Sequence, residues 1–126
     1  MQAWLLVMIG GAIGAALRYG VSLLTARTTL DPGFPWATLA VNLIGGLAAG
    51  FVLGAILARG GGGEIARPFL LFGLLGGFTT FSAFSAETAF LIFEGRFAMA
   101  LVYVLASVIG AILLTFAGLW LSGAGS

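Results

Sequence analysis

From Phe34 to Ala58 the chain carries no charged residue. A helix needs roughly 20 apolar residues to cross the hydrocarbon of a bilayer, and this stretch is longer. Three others reach a similar length: about Ala3–Leu24, about Pro68–Phe93, and Phe97 to about Leu121. Lipid offers no water to backbone amides and carbonyls, so each stretch must close its own hydrogen bonds as a helix. The expected architecture is an all-α integral membrane protein, a single domain over 1–126 with transmembrane helices at about 3–24, 34–58, 68–93 and 97–121. Composition agrees: 61% of residues are hydrophobic and 7% charged. The mean hydropathy of +1.20 is more than a small soluble domain can hide in its interior. The N-terminus lacks a basic n-region and an evident cleavage site, so it reads as the first membrane helix rather than a signal peptide.

Cysteine and histidine are absent. Disulfides, thiol chemistry, imidazole metal sites and histidine acid–base catalysis are thereby excluded. The acids, Asp31, Glu64, Glu87 and Glu94, are dispersed. No nucleophile–base pair can be assembled from them, so an enzyme is not expected. A net charge of +1 gives no reason to expect nucleic acid as a partner. Pro32 and Pro35 mark the first link and the entry to the second helix. Gly60–Gly63 with Glu64 form a flexible second link, and Glu94–Arg96 a tight third one. The glycine run follows a helix and has no G-K-[ST], which excludes a phosphate loop. Glycines recur four residues apart at Gly10/Gly14 and at Gly46/Gly50/Gly54. Such faces let backbones approach closely in lipid and are read as helix packing.

Orientation follows the Lys/Arg content of the short links. With the N-terminus inside, Arg59 and Arg67 lie inside, Arg27 and Arg96 outside, and Arg18 adds at most one outside vote. This near-tie predicts dual topology, and hence an antiparallel homodimer whose subunits act as inverted repeats. Four helices are also too few to enclose a pore.

The segment Gly73–Glu87, G-L-L-G-G-F-T-T-F-S-A-F-S-A-E, is the polar anomaly within the third span. Irregular backbone at membrane depth survives only inside protein or along a wet cavity. The third helix is therefore expected to break near Gly76–Thr79, at the adjacent glycines Gly76 and Gly77. Carbonyls freed there can hold Na⁺, while the restarting helix offers its N-terminal dipole to an anion. Phe81 and Phe84 share a helix face, continued by Ser85 and Thr88, and their ring edges are partly positive. Such edges meet an anion without trapping it. Ser82 lies between them. Asn42 is the one amide inside a span, and its NH₂ can donate to an anion. Thr38 stands one turn earlier on the same face. Tyr103, Ser107 and Thr115 form a drifting hydroxyl stripe about 18 Å long on the fourth helix. Each hydroxyl could also bond its own helix carbonyls. Arg18 is expected in a vestibule, where it concentrates anions. Glu87, beside an anion path, must be neutral, paired, or a gate or proton site.

With these residues identified, the chain resembles the Fluc (CrcB) family of small fluoride channels. The resemblance rests on G-G-A-I-G-A-A-L-R-Y at Gly10–Tyr19, P-W-A-T-L-A-V-N-L-I-G-G at Pro35–Gly46 and G-G-F-T-T-F-S-A-F-S at Gly76–Ser85. It implies passive fluoride export across the bacterial inner membrane by a dual-topology dimer with two anion paths and a central structural Na⁺. By motif position it puts the Na⁺ carbonyls on Gly76 and Thr79, and the fluoride-facing rings on Phe81 and Phe84. It puts the pore amide on Asn42, the polar track on Tyr103, Ser107 and Thr115, and the vestibule on Arg18 and Glu87. Ala83, Ala111 and Ala37 depart from the family pattern, the first two at positions where a hydroxyl is usual. The reading from another class is a four-helix, dual-topology, proton-coupled cation exporter. That mechanism requires a membrane-embedded acid in the first helix, which has none.

Overall fold

The computed structural model describes residues 2–28 and 33–125; Asp31 and Pro32 of the first link lie outside them. Among the described residues helices are the only regular secondary structure. The elements are α1 (Gln2–Thr28), α2 (Trp36–Ala58), a π-helical stretch (Arg67–Leu75), the short turn α3 (Gly76–Phe78), α4 (Phe81–Phe93) and α5 (Phe97–Leu121). The π-helical stretch, α3 and α4 together make the third of four spans long and apolar enough to cross a membrane.

The first helix runs to Thr28, beyond the expected end near Leu24, and within it Ser22 and Thr25 donate their hydroxyls to the Arg18 and Val21 carbonyls. Arg18 is consequently an interior residue of α1 rather than a terminal one. α2 begins directly after Pro35, which stands at its N-cap.

Gly76 and Gly77 are not where helical geometry lapses. Gly76 has φ −62° and ψ −39°, and both glycines lie in α3. The non-helical residues are Thr79 (φ −81°, ψ 158°) and Thr80 (φ −150°, ψ 124°). Two β-branched residues favour that extended region. Gly77 serves packing instead: a Cβ there would come within 2.5 Å of the Gly11 carbonyl on α1.

Small residues build both principal interfaces. α1 lies along the third span and α2 along α5. A Cβ on Gly14 would overlap the Leu74 carbonyl, and one on Gly50 the Thr115 carbonyl. Backbone thus meets backbone at both seams, as expected where dispersion rather than hydrophobicity joins helices. A small apolar core of Leu39, Leu91, Ala100 and the fully buried Tyr103 sits where α2, α4 and α5 converge. Phe34 meets the Tyr103 ring edge-on at 5.6 Å, and Phe84 lies 5.2 Å from it. Large apolar side chains such as Trp4, Phe72, Phe93 and Trp120 point outward, the arrangement a bilayer stabilises.

Gly50→Leu is expected to destabilise the bundle by about 2 kcal/mol or more through overpacking. Gly20→Ala, where an added Cβ meets nothing within 4 Å, should leave stability within about 0.5 kcal/mol or raise it. Thermal unfolding in detergent checks the pair, and equal midpoints would contradict this packing.

Candidate functional site

The site grows from the two extended residues. Turning Thr80 out of the helix strips its N–H of a helical partner, and such a group is costly to leave unpaired in lipid. Its C=O, at the N-cap of α4, keeps the acceptor role that opens that helix. Asn42 on α2 bonds to both: its Oδ1 accepts from the Thr80 N–H at 2.9 Å, and its Nδ2 adds a second bond to the Thr80 carbonyl at 3.0 Å. The side-chain amide stands in for a neighbouring strand. One Nδ2 hydrogen remains for another acceptor. Thr80 also caps α4, its hydroxyl accepting from the Ala83 N–H at 3.1 Å.

These bonds leave two carbonyls without their usual donors. A continuous helix would direct the Thr80 N–H to the Gly76 carbonyl and the Ala83 N–H to that of Thr79. The first is taken by Asn42 and the second by the Thr80 hydroxyl. Gly76 itself is exposed on the outer face of α3. Gly76 and Thr79 therefore have the hard oxygen donors that unwound helices offer to Na⁺.

Beside the interruption lies a groove of about 450 Å³ between α2 and α5, lined by Asn42, Gly76, Thr79, Phe81, Phe84 and Ser107 among others. The Phe81 and Phe84 rings stand 5.6 Å apart, tilted by 44°. Phe81 is 79% exposed along this groove. Ser107 is the opposite: 6% exposed, with a buried hydroxyl that has no hydrogen-bond partner. A buried polar atom left unpaired calls for an explanation, and an anion in the groove beside it would provide one.

A second cleft of about 280 Å³ brings Arg18 and Glu87 together, with Ser22, Thr38 and Thr80 in its wall. Within it the Glu87 carboxyl group is held from two helices. Thr38 donates to Oε1 and Tyr103 to Oε2, each at 2.7 Å. Glu87 is thus paired, which answers how an acid can sit near this path.

The expected hydroxyl track divides. Ser107 lines the groove, while Tyr103 and Thr38 turn to Glu87. The single Thr115 hydroxyl hydrogen is shared between the carbonyl of Ala111 on its own helix (2.8 Å) and that of Gly46 (3.1 Å), joining α5 to α2 behind the groove wall that those two residues help form. Ser82 is exposed and meets the Thr80 hydroxyl at 3.2 Å. Of the departures from the family pattern, Ala111 lies in the groove wall and Ala83 and Ala37 in the cleft wall. Sequence reasoning missed Thr80, the residue that lines both cavities. Its signal was a threonine at the first position of a restarting helix, a preferred cap.

Four apolar helices, an interrupted span and a largely apolar groove with a few polar groups at that interruption define a small integral membrane protein. The chain belongs to the CrcB-like protein family, Camphor Resistance (CrcB), whose model matches residues 5–119. It is 53% identical over 118 residues to the fluoride-specific ion channel FluC of Paracoccus denitrificans, covering 94% of this chain and 92% of that one. Identity is 48% to the FluC channel of Mesorhizobium japonicum, over 94% of each chain. It is 45% to that of Thermus thermophilus, over 98% of each.

Asn42→Leu keeps the side-chain volume and removes both bonds to Thr80. The Thr80 N–H left unpaired, with one bond to its carbonyl lost as well, should cost about 1–3 kcal/mol, read as a lower unfolding midpoint in detergent. A change under about 0.5 kcal/mol, the range of an inconsequential surface substitution, would contradict the pairing.

Proposed function

We propose that the protein is a fluoride-selective channel that lets the ion leave the cell passively down its gradient. It works in the bacterial inner membrane as an antiparallel, dual-topology homodimer with two anion paths. The observation that carries this reading is the unpaired, buried Ser107 hydroxyl in the groove walled by Phe81 and Phe84. The names of the relatives, fluoride-specific ion channels that match along nearly the whole chain, support it. They also support a transport role rather than a catalytic one.

Fluoride is compact and strongly hydrated, so it requires a dense set of donors to leave water. Ser107, the free Nδ2 hydrogen of Asn42 and the ring edges of Phe81 and Phe84 form that set without a cationic side chain among them. Arg18 raises the anion concentration in the adjoining cleft. Thr38 and Tyr103 keep the Glu87 carboxyl group engaged with hydroxyls and away from the ion. The groove of one subunit is open on one side, and a second, inverted copy closes it. The balanced arginine distribution supports coexistence of both orientations. Where the two subunits meet, the Gly76 and Thr79 carbonyls of each hold a structural Na⁺, which supplies fixed positive charge near the path. The cation-exporter reading gains nothing from the structure, since α1 has no acid.

Fluoride efflux from liposomes tests the assignment. Ser107→Ala deletes a hydroxyl that bonds to nothing in the protein, so it should leave stability unchanged. It should slow flux about tenfold, the worth of one hydrogen bond to a charged group. Phe81→Ile should slow it as well, and replacing Na⁺ by N-methylglucamine should weaken the dimer. Undiminished flux in both variants would remove the groove from the path.

A further inference from the structure

A third apolar groove, of about 500 Å³, lies at the end of the bundle where the third span turns into α5. Phe34, Phe97, Met99 and Val102 form its apolar walls, and Arg96 stands at its mouth. Phe97 and Val102 are 65% and 57% exposed, so the groove opens outward towards the bilayer. Its level is fixed by the fold: Glu94–Arg96 is the tight link between two membrane spans, which places the Arg96 guanidinium at the depth of lipid headgroups and the groove at the depth of acyl chains.

Arg96 is held in place. Its Nη1 donates to the Gly33 carbonyl at 3.3 Å. A Cβ on Gly33 would lie only 2.7 Å from Nη2, so the absence of a side chain there seats the guanidinium. A guanidinium has five N–H donors, and among the described residues the Gly33 carbonyl is the one acceptor that this guanidinium contacts. Among the described residues no side chain caps the first turn of α5, so unpaired amides lie beside the same charge.

We propose that this groove is a binding site for an anionic phospholipid of the phosphatidylglycerol type. Its phosphate is held by Arg96 and one acyl chain lies along Phe97 and Val102 beside Phe34. A zwitterionic lipid fills the groove equally well but gains less from the cation, because its own ammonium offsets the phosphate. Planar, bidentate contact with phosphate makes Arg better than Lys here.

Native mass spectrometry of detergent-purified protein exposed to phosphatidylglycerol or phosphatidylcholine tests the site. Wild-type protein should retain phosphatidylglycerol preferentially. Arg96→Gln should reduce that retention about fivefold, the worth of one basic side chain at a headgroup surface. Arg96→Lys should restore part of it, and Arg59→Gln, at the other end of the bundle, should leave it unchanged. Three results would overturn the proposal: equal retention of the two lipids by wild-type protein, unchanged preference in Arg96→Gln, or a changed number of subunits per particle in Arg96→Gln, which would make the groove an interface between copies of the chain.

Discussion

The paired hydrogen bonds between the Asn42 amide and the Thr80 peptide are the interaction on which the functional half of the molecule depends. A backbone N–H turned out of a helix at membrane depth needs a partner that lipid cannot give. One side chain on α2 gives it, and bonds to the carbonyl of the same residue as well. Once the Thr80 peptide has left the helix, the Gly76 and Thr79 carbonyls lose their usual donors and α4 restarts under a threonine cap. The restart directs Phe81 and Phe84 to the groove that Ser107 lines from α5. Thr80 then forms a common wall between this groove and the Arg18–Glu87 cleft.

The two seams of small residues set the frame for that arrangement. Where Gly14 meets the third span and Gly50 meets α5, backbones touch without intervening side chains. Close approach lets a side chain as short as Asn42 reach a peptide on another span, and lets Thr38 and Tyr103 close on one carboxyl group from two helices. Polar bonds and close packing are therefore coupled. Widening either seam would pull apart donors and acceptors that have no alternative partners in hydrocarbon.

Four spans were legible in the sequence because their signal is length and hydropathy, which involve no partner. The glycine faces were legible for the same reason, as spacing on one helix. Composition points to an interruption near Gly76–Thr79, and the extended residues lie at the end of that range, at Thr79 and Thr80, rather than at the adjacent glycines. Gly76 and Gly77 suggest flexibility, yet at least Gly77 is there for its contact with α1, and the extended pair is Thr79–Thr80. That distinction depends on Asn42, 38 residues away, and no local pattern records it. The hydroxyls illustrate the same limit. Tyr103, Ser107 and Thr115 follow one another along a helix, but one faces a carboxyl group, one a groove and one a neighbouring backbone. Sequence gives the donors, and only packing chooses their acceptors.

The central claim is that this site passes fluoride and discriminates against larger halides, using a few neutral donors rather than a cationic side chain to meet the ion. Purified wild-type protein in liposomes loaded with both potassium fluoride and potassium chloride, with efflux started by valinomycin, tests it directly. Rapid fluoride release with chloride retained is the predicted result. Chloride release at the same rate as fluoride, or release of neither, would contradict it.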